Sequence, residues 1–132
     1  MRETQKPQRE TKQRREVLNA VMSRCDHPTV DDIYLQLHEI NPKISKGTVY
    51  RNLNLLSENN EITHVRVPGA DRYDSRLDSH YHVYCICCGN VVDAPIDYST
   101  AFDELTESET GFSINRHRMI FEGICPECRK EV

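Results

Sequence analysis

A chain of 132 residues with 37% hydrophobic and 29% charged residues has room for one ordinary domain or two small ones. No apolar run approaches the roughly 18 residues that span a bilayer, and Met1-Arg2-Glu3-Thr4-Gln5-Lys6 lacks the apolar core of a secretory signal. No membrane association is expected. A cytoplasmic, reducing setting is, and there paired cysteines read as metal ligands sooner than as disulfides. The net charge of −4 is unevenly spread: residues 1–60 carry 10 Lys+Arg against 8 Asp+Glu, and residues 61–132 carry 7 against 13. A basic front and an acidic back suit a nucleic-acid module followed by a unit of another kind.

In chain order, residues 10–25 read as a helix with Val17, Leu18, Val21 and Met22 as its apolar stripe. Cys25 reads as a small apolar residue at its end. Asp26-His27-Pro28 interrupts the helix, because proline forces its predecessor out of the helical region. Thr29, with Asp32 three positions on, is an approximate capping box for a second helix. Its apolar positions are Val30, Ile33, Tyr34, Leu37 and Ile40, and Asn41-Pro42 ends it. Ser45 caps a third helix over 46–58. Val49, Leu53 and Leu56 would face inward, and Lys46, Thr48, Tyr50, Arg51 and Asn54 outward. Two short strands, 62–67 and 72–74, flank a Pro68-Gly69 turn. Three helices and a β-hairpin are the layout of a winged helix-turn-helix, whose third helix enters the major groove.

Residues 75–79 read as a hinge. The expected organisation is therefore 1–74, a winged-helix domain; 75–79, a hinge; and 80–132, a metal-binding domain. The second domain opens with a strand over 80–88, followed by a Gly89-Asn90 turn and a hairpin partner at 91–93. A helix over 97–109 carries apolar Ala101, Phe102 and Leu105 and ends at Gly111. A last strand, about 112–121, precedes a knuckle at 123–128. The fold class expected is α+β, with a three-stranded sheet in the second domain.

Side chains alternate faces along a strand, so His80, His82 and Tyr84 would point one way and Tyr81, Val83 and Cys85 the other. One strand would then serve two metal sites of different character. Cys85-x2-Cys88 and Cys125-x2-Cys128, with 36 residues between them, can bring four thiolates to the tetrahedron of a closed structural Zn2+ site. Cys87 is a possible competitor, but the two-residue spacing favours Cys88. On the other face, His80 and His82 have Asp93 on the hairpin partner, Asp74 across the hinge and His27 far upstream. Imidazoles with carboxylates suit Mn2+, Fe2+, Co2+ or Zn2+, although a lone His27 or Asp74 is more often an ordinary surface residue. A metallo-hydrolase built on His80, His82 and Asp93, or a thiol redox enzyme built on Cys-x2-Cys, would use the same residues. No nucleophile or base constellation supports the first, and retained zinc would argue against the second.

Taken together, several stretches resemble the ferric-uptake-regulator family of bacterial metal-responsive repressors. They are His27-Pro28-Thr29-Val30-Asp31-Asp32-Ile33-Tyr34, Ser45-Lys46-Gly47-Thr48-Val49-Tyr50-Arg51-Asn52-Leu53, Arg72-Tyr73-Asp74, His80-Tyr81-His82, Cys85-x2-Cys88-Gly89 and Cys125-Pro126-Glu127-Cys128. The resemblance implies a non-enzymatic, homodimeric repressor with a winged-helix DNA domain and a C-terminal α/β dimerisation domain. It implies structural Zn2+ on Cys85, Cys88, Cys125 and Cys128, and regulatory Fe2+ or Mn2+ on His27, Asp74, His80, His82 and Asp93. Aspartates at 74 and 93, where iron-uptake regulators usually have glutamate, place the likeness nearest the peroxide-sensing branch. There iron-catalysed oxidation of a ligand His, here His27 or His82, releases metal and DNA. An iron- or manganese-responsive uptake regulator without peroxide sensing is the alternative.

A further metal site of some iron-uptake members is not expected. Ser79 and Tyr81 stand where those members have His and Asp, although His117 is available. Expected DNA contacts are Lys46, Thr48, Tyr50 and Arg51 on the third helix, with Arg9, Lys12 and Arg14 ahead of or on the first. The target would be a double-stranded, palindromic, A·T-rich operator. Lys12 stands where many members have Pro, which bears on where the first helix starts.

Overall fold

The computed structural model describes residues 8–130, with side chains described from residue 12. The chain divides into two compact units, Met1–Leu77 and Asp78–Val132. No helix among the described residues is long and apolar enough to cross a membrane.

The first unit holds α1 (Gln8–Met22), α2 (Val30–His38), α3 (Lys46–Glu58) and a hairpin of β1 (Thr63–Val65) and β2 (Arg72–Asp74). Its core collects one face of each helix: Val17, Ala20 and Val21 from α1, Ile33 and Leu37 from α2, Val49, Leu53 and Leu56 from α3. Ile44, Ile62 and Tyr73 close it. The helix starts follow from their caps. Thr29 Oγ1 accepts from Asp32 N while Asp32 returns the bond to Thr29 N, and Ser45 Oγ accepts from Thr48 N.

Boundaries in this unit differ from expectation. α1 stops at Met22, three residues early, because the chain tightens there: Arg24 N bonds to Val21 O and Ser23 Oγ to Ala20 O. Cys25 is consequently outside the helix and exposed rather than packed. The apolar stripe of α1 is also rotated, with Ala20 buried and Met22 57% exposed, and Ile40, past the end of α2, is 75% exposed.

The second unit holds β3 (Tyr81–Cys85), β4 (Val91–Ala94), α4 (Thr100–Thr110), β5 (Ile120–Gly123) and the single turn α5 (Pro126–Arg129). The sheet order is β4-β3-β5. β4 pairs antiparallel with β3, putting Asp93 opposite His82, and β5 pairs parallel with β3 from His82–Ile120 to Cys85–Gly123. A parallel neighbour requires a crossover, and the segment containing α4 supplies it. β3 ends at Cys85, not Cys88, because the chain turns at once: Gly89 N bonds to Cys85 O with Gly89 at φ 79°. The last strand is likewise only 120–123, and residues 112–119 run outside the ladder. α4 starts at Thr100 after Ser99 and buries none of its residues. Phe102 is 50% and Leu105 59% exposed, so the apolar positions of this helix are not covered within one chain.

Candidate metal centres and DNA-facing surface

The four-cysteine cluster is built by two turns. Cys85 closes β3, and the turn after it returns Cys88. Cys125 caps α5, whose first turn, opened by Pro126, returns Cys128. All four sulfurs lie within 4.8 Å of one another, with Cys85–Cys128 and Cys88–Cys125 each at 3.9 Å. A tetrahedron with Zn–S arms of ~2.3 Å has edges of about 3.8 Å, so the donors fit Zn2+ in number, chemistry and spacing. Backbone N–H groups of Cys88 and Cys125 point at Cys85 Sγ, each at 3.4 Å. These bonds hold its thiol down to about 6, in the form that binds metal. Cys128, ringed by the other sulfurs, is pushed upward instead. Cys87 is exposed and stands outside the cluster.

Nitrogen and oxygen donors occur in both units. In the first, His27 Nε2 lies 3.3 Å from Asp74 Oδ2, both residues being buried. The pairing has a backbone cause. The 27–29 segment is clipped along β2 by Arg72 Nη1 on His27 O at 3.1 Å, Tyr73 N on Pro28 O at 2.9 Å and a bridge between Thr29 and Arg72.

In the second unit, Asp93 Oδ1 lies 3.0 Å from His80 Nε2 and 3.5 Å from His82 Nε2. His80 Nδ1 sits 2.8 Å from Asp78 O. Donation to that carbonyl places a proton on Nδ1, the arrangement in which Nε2 can serve a cation shared with Asp93. Donors at ~2.1 Å from one ion stand roughly 3 Å apart in an octahedron. Each half-set therefore has the spacing of groups that share a cation.

On α3, Tyr50 is 52% exposed. Lys46 is paired with Asp31 at 2.8 Å, and Arg51 Nη2 bonds to Thr48 Oγ1 at 3.2 Å. Lys12 is exposed and Arg14 half-buried, while the side chain of Arg9 lies outside the described residues. Lys12, Lys43 and Thr48 line one groove of about 370 Å3 together with Gln13, Glu16 and Asn41. Lys43 had no signal in the sequence, being a lone charge in the loop between two helices.

Another group went unread. Tyr98 and Asp103 join Tyr81 and His117 in a hydrogen-bonded chain. Only His117 stood out in the sequence.

A three-helix unit closed by a two-stranded wing, followed by a small α/β unit with a four-thiol cluster, defines a metal-binding winged-helix protein. The profile of the ferric uptake regulator family matches residues 5–122, and the chain belongs to that family. It is 35% identical over 122 residues to the peroxide operon regulator of Bacillus subtilis, covering 92% of this chain and 84% of that one. It is 32% identical to the peroxide-responsive repressor PerR of Staphylococcus epidermidis, over 92% and 81% of the two chains. The solved peroxide stress regulator of Campylobacter jejuni superposes with a TM-score of 0.74 at 29% identity, covering 92% of each chain.

Proposed function

We propose that this protein is a metal-dependent DNA-binding repressor that senses peroxide through iron-catalysed oxidation of a ligand His. One cation would take His27 and Asp74 from the first unit and His80, His82 and Asp93 from the second. The observation that carries this reading is the pair of half-sets, each a carboxylate within 3.5 Å of an imidazole Nε2 and each on a different unit. The relatives named for peroxide response support the signal.

These donors would hold Fe2+, which would supply one-electron reduction of peroxide next to them, and they would hold Mn2+ without that chemistry. His27 and His82 supply neutral nitrogen donors, and an imidazole that gains oxygen loses that capacity. The two carboxylates keep the set selective for a hard divalent ion. Tying the units together would fix the spacing of two recognition helices in a dimer, which must match half-sites about 34 Å apart or a multiple of it. Metal and DNA affinity are then reciprocally linked.

Homodimerisation through the second unit is supported by its apolar surface. Phe102, Leu105, Phe112 and Phe121 are all at least 40% exposed, more than a monomer leaves uncovered without cause. The DNA partner would be a palindromic, A·T-rich operator. It would be met by Lys46, Thr48, Tyr50 and Arg51, with Arg9, Lys12 and Arg14 on the backbone or in the minor groove. The proposed setting is the cytoplasm, and the role is regulatory, not enzymatic.

The test is operator binding with Fe2+ and with Mn2+, before and after peroxide, alongside mass spectrometry of the histidines. Loss of binding only with Fe2+, with added oxygen on His27 or His82, is expected. Metal-dependent binding that survives peroxide with no oxidised His would favour an iron- or manganese-responsive uptake regulator. Binding indifferent to both metals would overturn both readings.

A further inference from the structure

The second unit contains a closed polar chain that no metal-binding role uses. Tyr81 Oη lies 2.7 Å from His117 Nε2, and His117 Nδ1 lies 2.7 Å from Asp103 Oδ1. Tyr98 Oη donates to Asp103 Oδ2 at 2.5 Å and accepts from the His117 backbone N–H at 2.9 Å. Tyr81 Oη accepts from Ser99 N at 2.9 Å, and the Tyr98 and His117 rings stack at 4.4 Å.

With His117 neutral, one proton arrangement satisfies all of these. The carboxylate accepts from both neighbours, so His117 carries its proton on Nδ1. Its Nε2 then accepts, and Tyr81 must donate to it. Tyr98 and His117 hold Asp103 below the usual carboxylate range, keeping it an acceptor. Both ring nitrogens of His117 are occupied by these bonds.

We propose that Tyr81, His117, Asp103 and Tyr98 form a positioning clamp that aims the imidazoles of His80 and His82. The clamp rests on the reading of those histidines as regulatory ligands. Tyr81 is the residue between them, and on a strand its side chain leaves the opposite face. Fixing the Tyr81 hydroxyl fixes the roll of β3 about its axis, and with it the direction in which both neighbours point.

The clamp also sits where β3 most needs support. The parallel ladder with β5 begins only at His82–Ile120, and His82 N bonds to Met119 O at 3.3 Å. His117, two residues earlier, anchors the chain just before that ladder starts. Without it the ligand end of the strand would have a weak neighbour on one side. Tyr81, His117, Asp103 and Tyr98 touch no ligand nitrogen in this role; they act through the backbone. Groups that orient metal ligands are worth about 10–100-fold in metal affinity.

The test uses the full chain loaded with zinc, and Co2+ as the probe of the nitrogen and oxygen site. Wild type is compared with Tyr81→Phe and Asp103→Asn. Each variant should bind Co2+ about 10–100-fold more weakly and show shifted visible d–d bands, with one zinc per chain retained. A purely structural network would lower the melting temperature but leave the bands of the bound Co2+ in place. Wild-type affinity and bands in both variants would overturn the clamp, as would loss of zinc and fold in both. If Tyr81→Phe alone fails to fold, Asp103→Asn decides. A wild-type chain that takes no Co2+ beyond the thiol site would instead sink the assignment of the ligands themselves.

Discussion

Removing zinc should unfold the second unit and leave the first standing. Among its described hydrophobic residues the second unit buries only Tyr81, Cys85, Val91 and Ala94. At ~1.5–3 kcal/mol for a large side chain and less for alanine, these supply roughly 6 kcal/mol. A structural zinc contributes about 10–16 kcal/mol in zinc-finger peptides, so the metal stabilises this unit more than apolar burial does. The main hydrophobic core lies wholly in the first unit. Helices of 15, 9 and 13 residues lie there, against 11 and 4 in the second unit. Cys128→Ser, or zinc extraction followed with a coloured chelator, should therefore cost under about a third of the far-UV helical signal. Size-exclusion chromatography should show the dimer dissociating at the same time. A chain that loses zinc yet keeps its full helical signal and dimer would refute the reasoning. So would a collapse of the whole signal, since the first unit would then depend on the second.

Four other outcomes are expected. His27→Ala should abolish metal-dependent operator binding while zinc content and dimer persist, read by fluorescence anisotropy with and without Mn2+. Thr29→Ala removes one half of the capping box and should cost about 1 kcal/mol in urea denaturation; no change would mean that α2 is held by packing alone. Lys43→Ala should weaken DNA binding and lower the salt slope of log K by about 1, whereas an unchanged slope would keep the Lys12–Lys43 groove away from phosphate. Burial pushes the Tyr73 hydroxyl up to about 12. The folded state thus favours its neutral form, and that stability is complete below about pH 10 and lost as pH rises towards 12. Tyr73→Phe should remove this alkaline component from a pH series of melting temperatures.

Sequence pattern was enough for several local features. The helix-3 limits, Thr29 and Ser45 as caps and the two Cys-x2-Cys turns all depend on residues within four positions of each other. Other boundaries and pairings read less well. β3 looked longer than it is because Ile86, Cys87 and Cys88 have strand-like composition, but the turn that presents Cys88 begins directly after Cys85. Phe102 and Leu105 read as apolar helix positions, and they are exposed in the single chain; apolar spacing marks a face to be covered and does not say by which molecule. His80, His82 and Asp93 were legible as one group from strand alternation. The association of His27 with Asp74 was implied by the family resemblance and not by pattern, because their proximity depends on Arg72 and Tyr73 gripping the 27–28 backbone. Tyr98 and Asp103 gave no warning, since a hydrogen-bonded chain closed by His117 across 14 to 19 positions has no periodicity.

His27 has φ of 55°, a left-handed conformation that costs a side-chain-bearing residue about 1–2 kcal/mol. Pro28 follows it, and bonds from Arg72 and Tyr73 keep it there. If His27 is a metal ligand as proposed, that cost would be borne by the fold and not by the arriving ion. The base of the wing and the metal threshold would then be joined. Substitutions along 72–73 would retune how much metal the protein needs without altering any donor, and selection could adjust the response from the wing alone.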